Sequence, residues 1–179
     1  MRYSKIRKMD ISNGEGIGVA LFVQGCHFHC KGCFNQETWS FDGGKLWTTE
    51  TESLFINLAN KPYIDRISLL GGEPLCDENV KDVLSLIINI KEIHPEKKIW
   101  LYTGYNFDEI INKKTSDNLL DMFRKACVLF STVVVDGKFQ LENQDLYNEH
   151  IVWAGSTNQR VIYVKEYLEN RKSENFKYI

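Results

Sequence analysis

The chain has 179 residues, 43% of them hydrophobic and 26% charged, with a formal net charge of -2. That is enough sequence for one domain with its own core and too little for two of ordinary size, and the composition excludes a disordered or fibrous chain. The near-neutral balance argues against a broad nucleic-acid footprint; the basic clusters Lys5 to Lys8 and Lys97-Lys98 are short and read as solvated surface.

The stretch Met1-Arg2-Tyr3-Ser4-Lys5 has no apolar core of signal-peptide type, and no apolar run is long enough to span a bilayer. A cytoplasmic chain with no membrane partner is expected. Val19-Ala20-Leu21-Phe22-Val23 is the first predicted strand, and Gln24-Gly25-Cys26 follows it. Thr49 to Ala59 is a predicted helix that opens with a Thr49-x-x-Glu52 capping signature. Ile67-Ser68-Leu69-Leu70 is a strand ending in Gly71-Gly72. Asn79 to Ile93 sets Val80, Val83, Leu84, Ile87, Ile90 and Lys91 at helical spacing, with Asn79 as its cap and Pro95 helping to stop it. Ile99-Trp100-Leu101-Tyr102 is a strand before Thr103-Gly104-Tyr105. Asn118 to Lys125 reads as a shorter helix, Val128 to Val135 as a strand before Asp136-Gly137, and Gln140 to Glu149 as a polar loop or short helix. Val161 to Val164 is a short strand, and the charged tail from Glu166 to Ile179 is a helix that frays.

Strands alternating with helices imply βαβ units and a mostly parallel sheet, in one domain spanning residues 1–179. Each strand ends in a glycine loop. In parallel α/β sheets and barrels that edge is where ligands bind, and a cysteine cluster lies on it, after the first predicted strand. The run Gly14-x-Gly16-x-Gly18 precedes a strand instead of opening a helix, so it is not a dinucleotide-phosphate loop.

The cluster is Cys26-His27-Phe28-His29-Cys30-Lys31-Gly32-Cys33, spaced C-x3-C-x2-C. In a compartment that keeps thiols reduced, five cysteines with three so close together point to metal or catalysis before disulfides. Gly25 and Gly32 let one loop wrap a metal centre. Three thiolates suit a four-iron cubane and leave one iron without a protein ligand. Zinc with His27 or His29 as fourth ligand remains an alternative, as does an electron-transfer cluster completed by Cys76 or Cys127. Read singly, His27 and His29 are loop residues, and Cys76 and Cys127 are buried apolar-like thiols.

C-x3-C-x2-C after a strand, followed by Gly71-Gly72-Glu73-Pro74 after the next one, resembles the radical S-adenosylmethionine superfamily. A narrower resemblance runs in order from about residue 10 to residue 160. Asn13-Gly14-Glu15-Gly16, Leu21 to Cys26, Gly32-Cys33-Phe34-Asn35 and Thr38-Trp39 are similar to the activating proteins of anaerobic (class III) ribonucleotide reductase. So are Trp100 to Tyr105, Val135 to Phe139 and Trp153 to Gln159. Two departures stand out: Gly32 occupies the place before the third cysteine where the superfamily usually has an aromatic residue, and Ile17-Gly18 replaces a more polar pair in which arginine is common.

The resemblance implies a trimmed, partial TIM-like barrel. It implies a [4Fe-4S] cluster on Cys26, Cys30 and Cys33, which would be both metal ligands and catalytic, and S-adenosylmethionine held by Gly32, Cys33, Phe34, Gly71, Gly72 and Glu73. The backbone at Gly71-Gly72 would meet the methionine amino group, where a side chain would block approach. Glu73 is read equally as a brace for the turn or as a solvated loop carboxylate. Asp136, Lys138, Asn158 and Gln159 are candidates for ligand or partner contact, with ordinary turn roles an equal reading for Asp136 and Asn158. The implied activity is reductive cleavage of S-adenosylmethionine to make a glycyl radical on the reductase's catalytic subunit, with flavodoxin or ferredoxin as electron donor. A deazaguanine synthase-like enzyme on a small molecule and a non-enzymatic zinc or iron-sulfur module are the alternatives.

Overall fold

The computed structural model describes residues 1–114, 118–144 and 153–175. Strands β1 (Arg2–Asp10) and β2 (Gly18–Val23) lead to the short β3 (Lys45–Leu46) and helix α1 (Thr49–Ala59). Strand β4 (Arg66–Gly71), α2 (Val80–Ile93), β5 (Lys98–Tyr102), α3 (Phe107–Asn112), α4 (Leu119–Phe130), β6 (Val133–Asp136), β7 (Arg160–Tyr163) and α5 (Val164–Asn175) follow. The strands make one seven-stranded sheet in the order β3-β1-β2-β4-β5-β6-β7. The central four are parallel, and the edges pair antiparallel. The sheet does not close, which is the partial barrel expected.

The parallel strands are covered on both sides, so they read as unbroken apolar runs instead of alternating ones. Val19, Leu21, Val23, Ile67, Leu69, Ile99, Leu101 and Val134 are buried in one core with Phe55, Val83, Ile87 and Val128 from the helices. Each such side chain contributes about 1.5–3 kcal/mol by leaving water, so the helix layer is the main source of stability. The other face holds two small clusters, Ala20, Phe22 and Leu70, and Trp100, Val133 and Val135. Among the described residues no helix is long and apolar enough to cross a membrane.

Several boundaries differ from expectation. Strand β1 precedes the predicted first strand, so the cysteine loop follows the second. Helix α1 is capped by Thr48, whose side chain accepts from the Thr51 amide. Glu52 instead accepts from Trp47 Nε1 and Asn89 Nδ2, so no reciprocal capping box forms. Asn79 makes no cap hydrogen bond; its amide donates to the carbonyls of Gln24 and Glu73. The apolar run from Val128 to Val135 is the last turn of α4, a break at Ser131, and β6. Val164 opens α5 instead of ending β7. The stretch from 140 contains a 3-10 turn, Leu141–Asn143; residues 145–149 lie outside the described residues. The tail is helical as far as Asn175, and residues 176–179 lie outside the described residues.

Candidate cluster and cofactor site

The C-terminal ends of β2, β4, β5 and β6 open onto one cavity of about 340 Å³. Cys26, Cys30 and Cys33 line it from the first loop, Gly71, Gly72 and Glu73 from the second, Thr103 and Gly104 from the third, and Lys138 and Phe139 from the fourth. Ser12 and Asn13, which precede β2, and Trp153 to Gly155, which precede β7, complete the wall.

The cysteine loop is tied to the turn after β4 by backbone. The Glu73 amide donates to the Gly25 carbonyl at 2.8 Å, and the Gly72 amide to the Val23 carbonyl at 2.9 Å. The Gly25 amide donates to Thr38 O and the Cys26 amide to Trp39 O, while Gln24 Nε2 reaches the Glu37 and Ser40 carbonyls. Gly25 has φ +96°, and a Cβ there would overlap the Phe41 ring, so the loop can take this path only with glycine. Glycine at 71 and 72 has a reason beyond the one expected. A Cβ on Gly72 would collide with the Gly25 carbonyl oxygen, and one on Gly71 (φ +107°) would lie 2.7 Å from Phe22 Cα. The glycines are required by this chain's own backbone before any ligand arrives.

The thiols are mutually close enough to interact. Burial pushes Cys26 up, with the charges of Glu73 and Cys30 adding to it. Burial and the neighbouring Cys33 push Cys30 up. Like-charged thiolates crowded together are unfavourable until a cation is present, and metal binding would displace their protons. Neither histidine lines the cavity: His27 bonds Glu78 at 2.9 Å beside Phe41, and His29 stacks on Trp39. Cys76 and Cys127 are buried away from the cavity wall, and burial raises both thiols, Cys127 to about 12. Three cysteines on the cavity wall, which neither loop histidine lines, are the donor set that a cubane with one unligated iron would take.

Glu73 is 2% exposed, which removes the solvated reading. Its Oε1 accepts from the Leu75 amide and Thr103 Oγ1, both at 2.8 Å, and its Oε2 from the Gly104 amide at 2.8 Å. Burial raises its carboxyl to about 7 against the pull of these donors. It is therefore a brace between the second and third loops that also faces the cavity. Phe34 is 63% exposed at the mouth, its ring 5.1 Å from that of Phe139. Lys138 lies 4.5 Å over the Phe28 ring.

Asp136 and Asn158 have the strand-end and turn roles, while Gln159 ties a turn and also lines the cavity, as Lys138 does. Asp136 is buried and accepts from the Phe107 amide and the Arg160 guanidinium. Asn158 donates to Lys138 O, and Gln159 holds the amides of Gly155 and Ser156. The cavity wall also contains residues not singled out from sequence: Ser12, Phe28, Trp39 and Tyr102. The hydroxyl of Tyr102 and Nε1 of Trp39 are buried without a hydrogen-bond partner. Their signal was present in the matched strings around Thr38-Trp39 and Trp100 to Tyr105, but as pattern without a role.

The class of protein is given by a family model described as a 4Fe-4S single cluster domain, which matches residues 12–162 and so takes in the thiol loop and most of the sheet. Anaerobic ribonucleoside-triphosphate reductase-activating proteins of Salmonella typhi and Escherichia coli are 40% and 39% identical to it over 167 residues, 92% of this chain and 100% of each relative. That of Haemophilus influenzae is 38% identical over 161 residues, 89% of this chain and 96% of the relative. The chain belongs to the family of anaerobic ribonucleoside-triphosphate reductase-activating proteins, and is thus an oxidoreductase of the radical S-adenosylmethionine type.

Proposed function

We propose that this protein binds a [4Fe-4S] cluster through Cys26, Cys30 and Cys33 and S-adenosylmethionine beside it, and makes a glycyl radical on an anaerobic ribonucleotide reductase. When bound and reduced, by flavodoxin or ferredoxin, the cluster and S-adenosylmethionine together supply a 5′-deoxyadenosyl radical able to take hydrogen from a glycine. The chain's own residues do the positioning. The loop after β2 presents three thiols to one side of the cavity. Gly71 and Gly72 leave backbone bare next to it, for the methionine part of the cofactor. Glu73 fixes the Thr103-Gly104 loop. Cys33 and Phe34 on the cavity wall would make the adenine contacts, with Gly32, which is not on that wall, next to them in the chain.

The observation that carries this reading is the meeting of the three thiols and the Gly71-Gly72-Glu73 turn around one cavity, in a chain that matches named activating proteins along most of its length. A radical left on a target glycine is delocalised along its backbone. The cavity is open at one edge of a small sheet, which suits a loop of another protein as substrate.

The test is anaerobic reconstitution, reduction, and addition of S-adenosylmethionine and the reductase. A glycyl doublet in the electron paramagnetic resonance spectrum of the reductase is the expected result. Cofactor cleavage with no doublet on any glycyl-radical protein of the cell would transfer the assignment to a small-molecule enzyme. Stoichiometric zinc without iron would make the chain a zinc module.

A further inference from the structure

The run from Asp10 to Gly18 plays no part in the cluster loop, yet Ser12 and Asn13 form part of the cavity wall. What holds them there is a charged row buried beneath the cavity. Asp10 pairs with Gly18 across β1 and β2, and Gly18 pairs with Arg66 across β2 and β4. The three residues are therefore neighbours on adjacent strands, with glycine in the middle. The Arg66 side chain is wholly buried and reaches over Gly18 to Asp10: its Nη2 donates to Asp10 Oδ1 at 2.9 Å and to the Asp10 carbonyl at 3.0 Å. Its Nε donates to the Glu15 carbonyl and its Nη1 to Ser68 Oγ. Asp10 and Ser68 pass this on to Asn13. The Asn13 amide and Nδ2 donate to the Asp10 carboxylate, and Ser68 Oγ donates to the Asn13 carbonyl at 2.6 Å.

We propose that Arg66 is a positioning residue for the radical reaction: it sets Ser12 and Asn13 in the cavity wall, and its guanidinium occupies space that a side chain at position 18 would otherwise claim. A Cβ on Gly18 would lie 2.5 Å from Arg66 Nη1 and 2.6 Å from Arg66 Cγ. The guanidinium is held by Asp10, Glu15 and Ser68, so it cannot swing aside as a free side chain would. Gly14 closes over it: a Cβ there would meet Arg66 Cδ at 2.8 Å and Trp100 at 2.7 Å. Positions 18 and 66 thus share one volume, which has room for one arginine. An arginine carried at 18 would start one strand nearer to Asp10, on the same face.

The proposal rests on the function above, because the placing of Ser12 and Asn13 matters only if the cavity orients reactants. Four reconstituted proteins decide it: wild type, Arg66→Gly, Gly18→Arg, and the exchange Gly18→Arg/Arg66→Gly. Iron content and circular dichroism establish cluster loading and folding. The readout is coupling, the glycyl radical formed on the reductase per 5′-deoxyadenosine released, which a general loss of stability does not move in a folded, loaded protein. A misplaced wall should lower coupling by about tenfold or more in Arg66→Gly, and the exchange should return it to within about threefold of wild type. Gly18→Arg alone, with two arginines in one volume, should fail to fold or to couple. Arg66→Gly that is folded and fully coupled overturns the proposal, as does a folded exchange variant no better than Arg66→Gly. If Arg66→Gly does not fold, the exchange decides alone: a folded, coupled protein supports the proposal and an unfolded one overturns it. If wild type cleaves S-adenosylmethionine but makes no radical on the reductase, it is the proposed function that fails. The same rescue is then sought in the dissociation constants of the four proteins for S-adenosylmethionine, and its absence overturns the role of Arg66.

Discussion

At Glu73 one side chain carries opposing demands. Three donors favour its carboxylate, while complete burial favours the neutral acid, and burial wins by raising the group to about 7. The unfolded chain has an ordinary glutamate near 4.5. Between those values the folded protein holds a proton that the unfolded chain has released, so stability falls as pH rises through that window. The full loss above pH 7 is about 3 kcal/mol for such a shift. Urea denaturation of the cluster-free protein at pH 5 and pH 8 should show it. Glu73→Gln should flatten this pH dependence; an unchanged slope would mean that the carboxyl does not titrate there. Tyr102 is the converse case, a buried hydroxyl with no partner. Replacing it by phenylalanine removes an orphan donor at almost constant shape, so Tyr102→Phe should leave the cluster-free protein as stable as wild type or about 1 kcal/mol more stable. A clear loss in the same denaturation assay would mean that the hydroxyl is bonded in the folded chain.

At the scale of elements, sequence was informative where a single element is apolar throughout and ends in glycine. Strands β2, β4 and β5 have that form, and helix α2 was legible from its apolar stripe at helical spacing. Strand β1 was not legible because Arg2 to Asp10 is an edge-side strand whose Lys5, Arg7 and Lys8 interrupt any apolar run. Val128 to Val135 misled because both parts of the run are apolar, although Leu129 and Phe130 at the end of α4 are exposed while all of β6 is buried, so hydrophobicity alone did not mark the change of period. The cysteine loop and the Gly71-Gly72-Glu73 turn were legible as local strings. The row Asp10-Gly18-Arg66 was not, since it exists only once three strands are in register. Register also changes the expected effect of Gly72→Val. From sequence, that variant should lose only cofactor binding. With the Gly25 carbonyl directly against position 72, the valine must push the cysteine loop away, at a cost of about 1–3 kcal/mol. Gly72→Val should therefore bind markedly less iron after anaerobic reconstitution. Full iron with weakened cofactor binding would restore the simpler reading.

At the scale of the molecule, the question is whether the chain needs its cluster to fold. Small zinc modules do, because the metal replaces a core that they lack. Here the main core lies between the sheet and α1, α2 and α4, and the cysteine loop adds little to it. Of the three thiols only Cys26 is buried, and it lies at the edge of that core. The loop is held from outside, by backbone bonds to Thr38, Trp39 and Glu73 and by the Gln24 and Asn79 amides. Removing the cluster by oxidation and chelation should leave the far-ultraviolet circular dichroism nearly unchanged and unfolding cooperative. Hydrogen exchange should separate two regions: amides from 26 to 39 losing protection, and those of β2, β4 and β5 keeping it. A chain that unfolds wholly on losing its metal would show that the cluster is part of the core, and the zinc-module alternative would then be the better description. A chain that stays folded with a loosened loop behaves as an enzyme scaffold must, stable first and loaded afterwards.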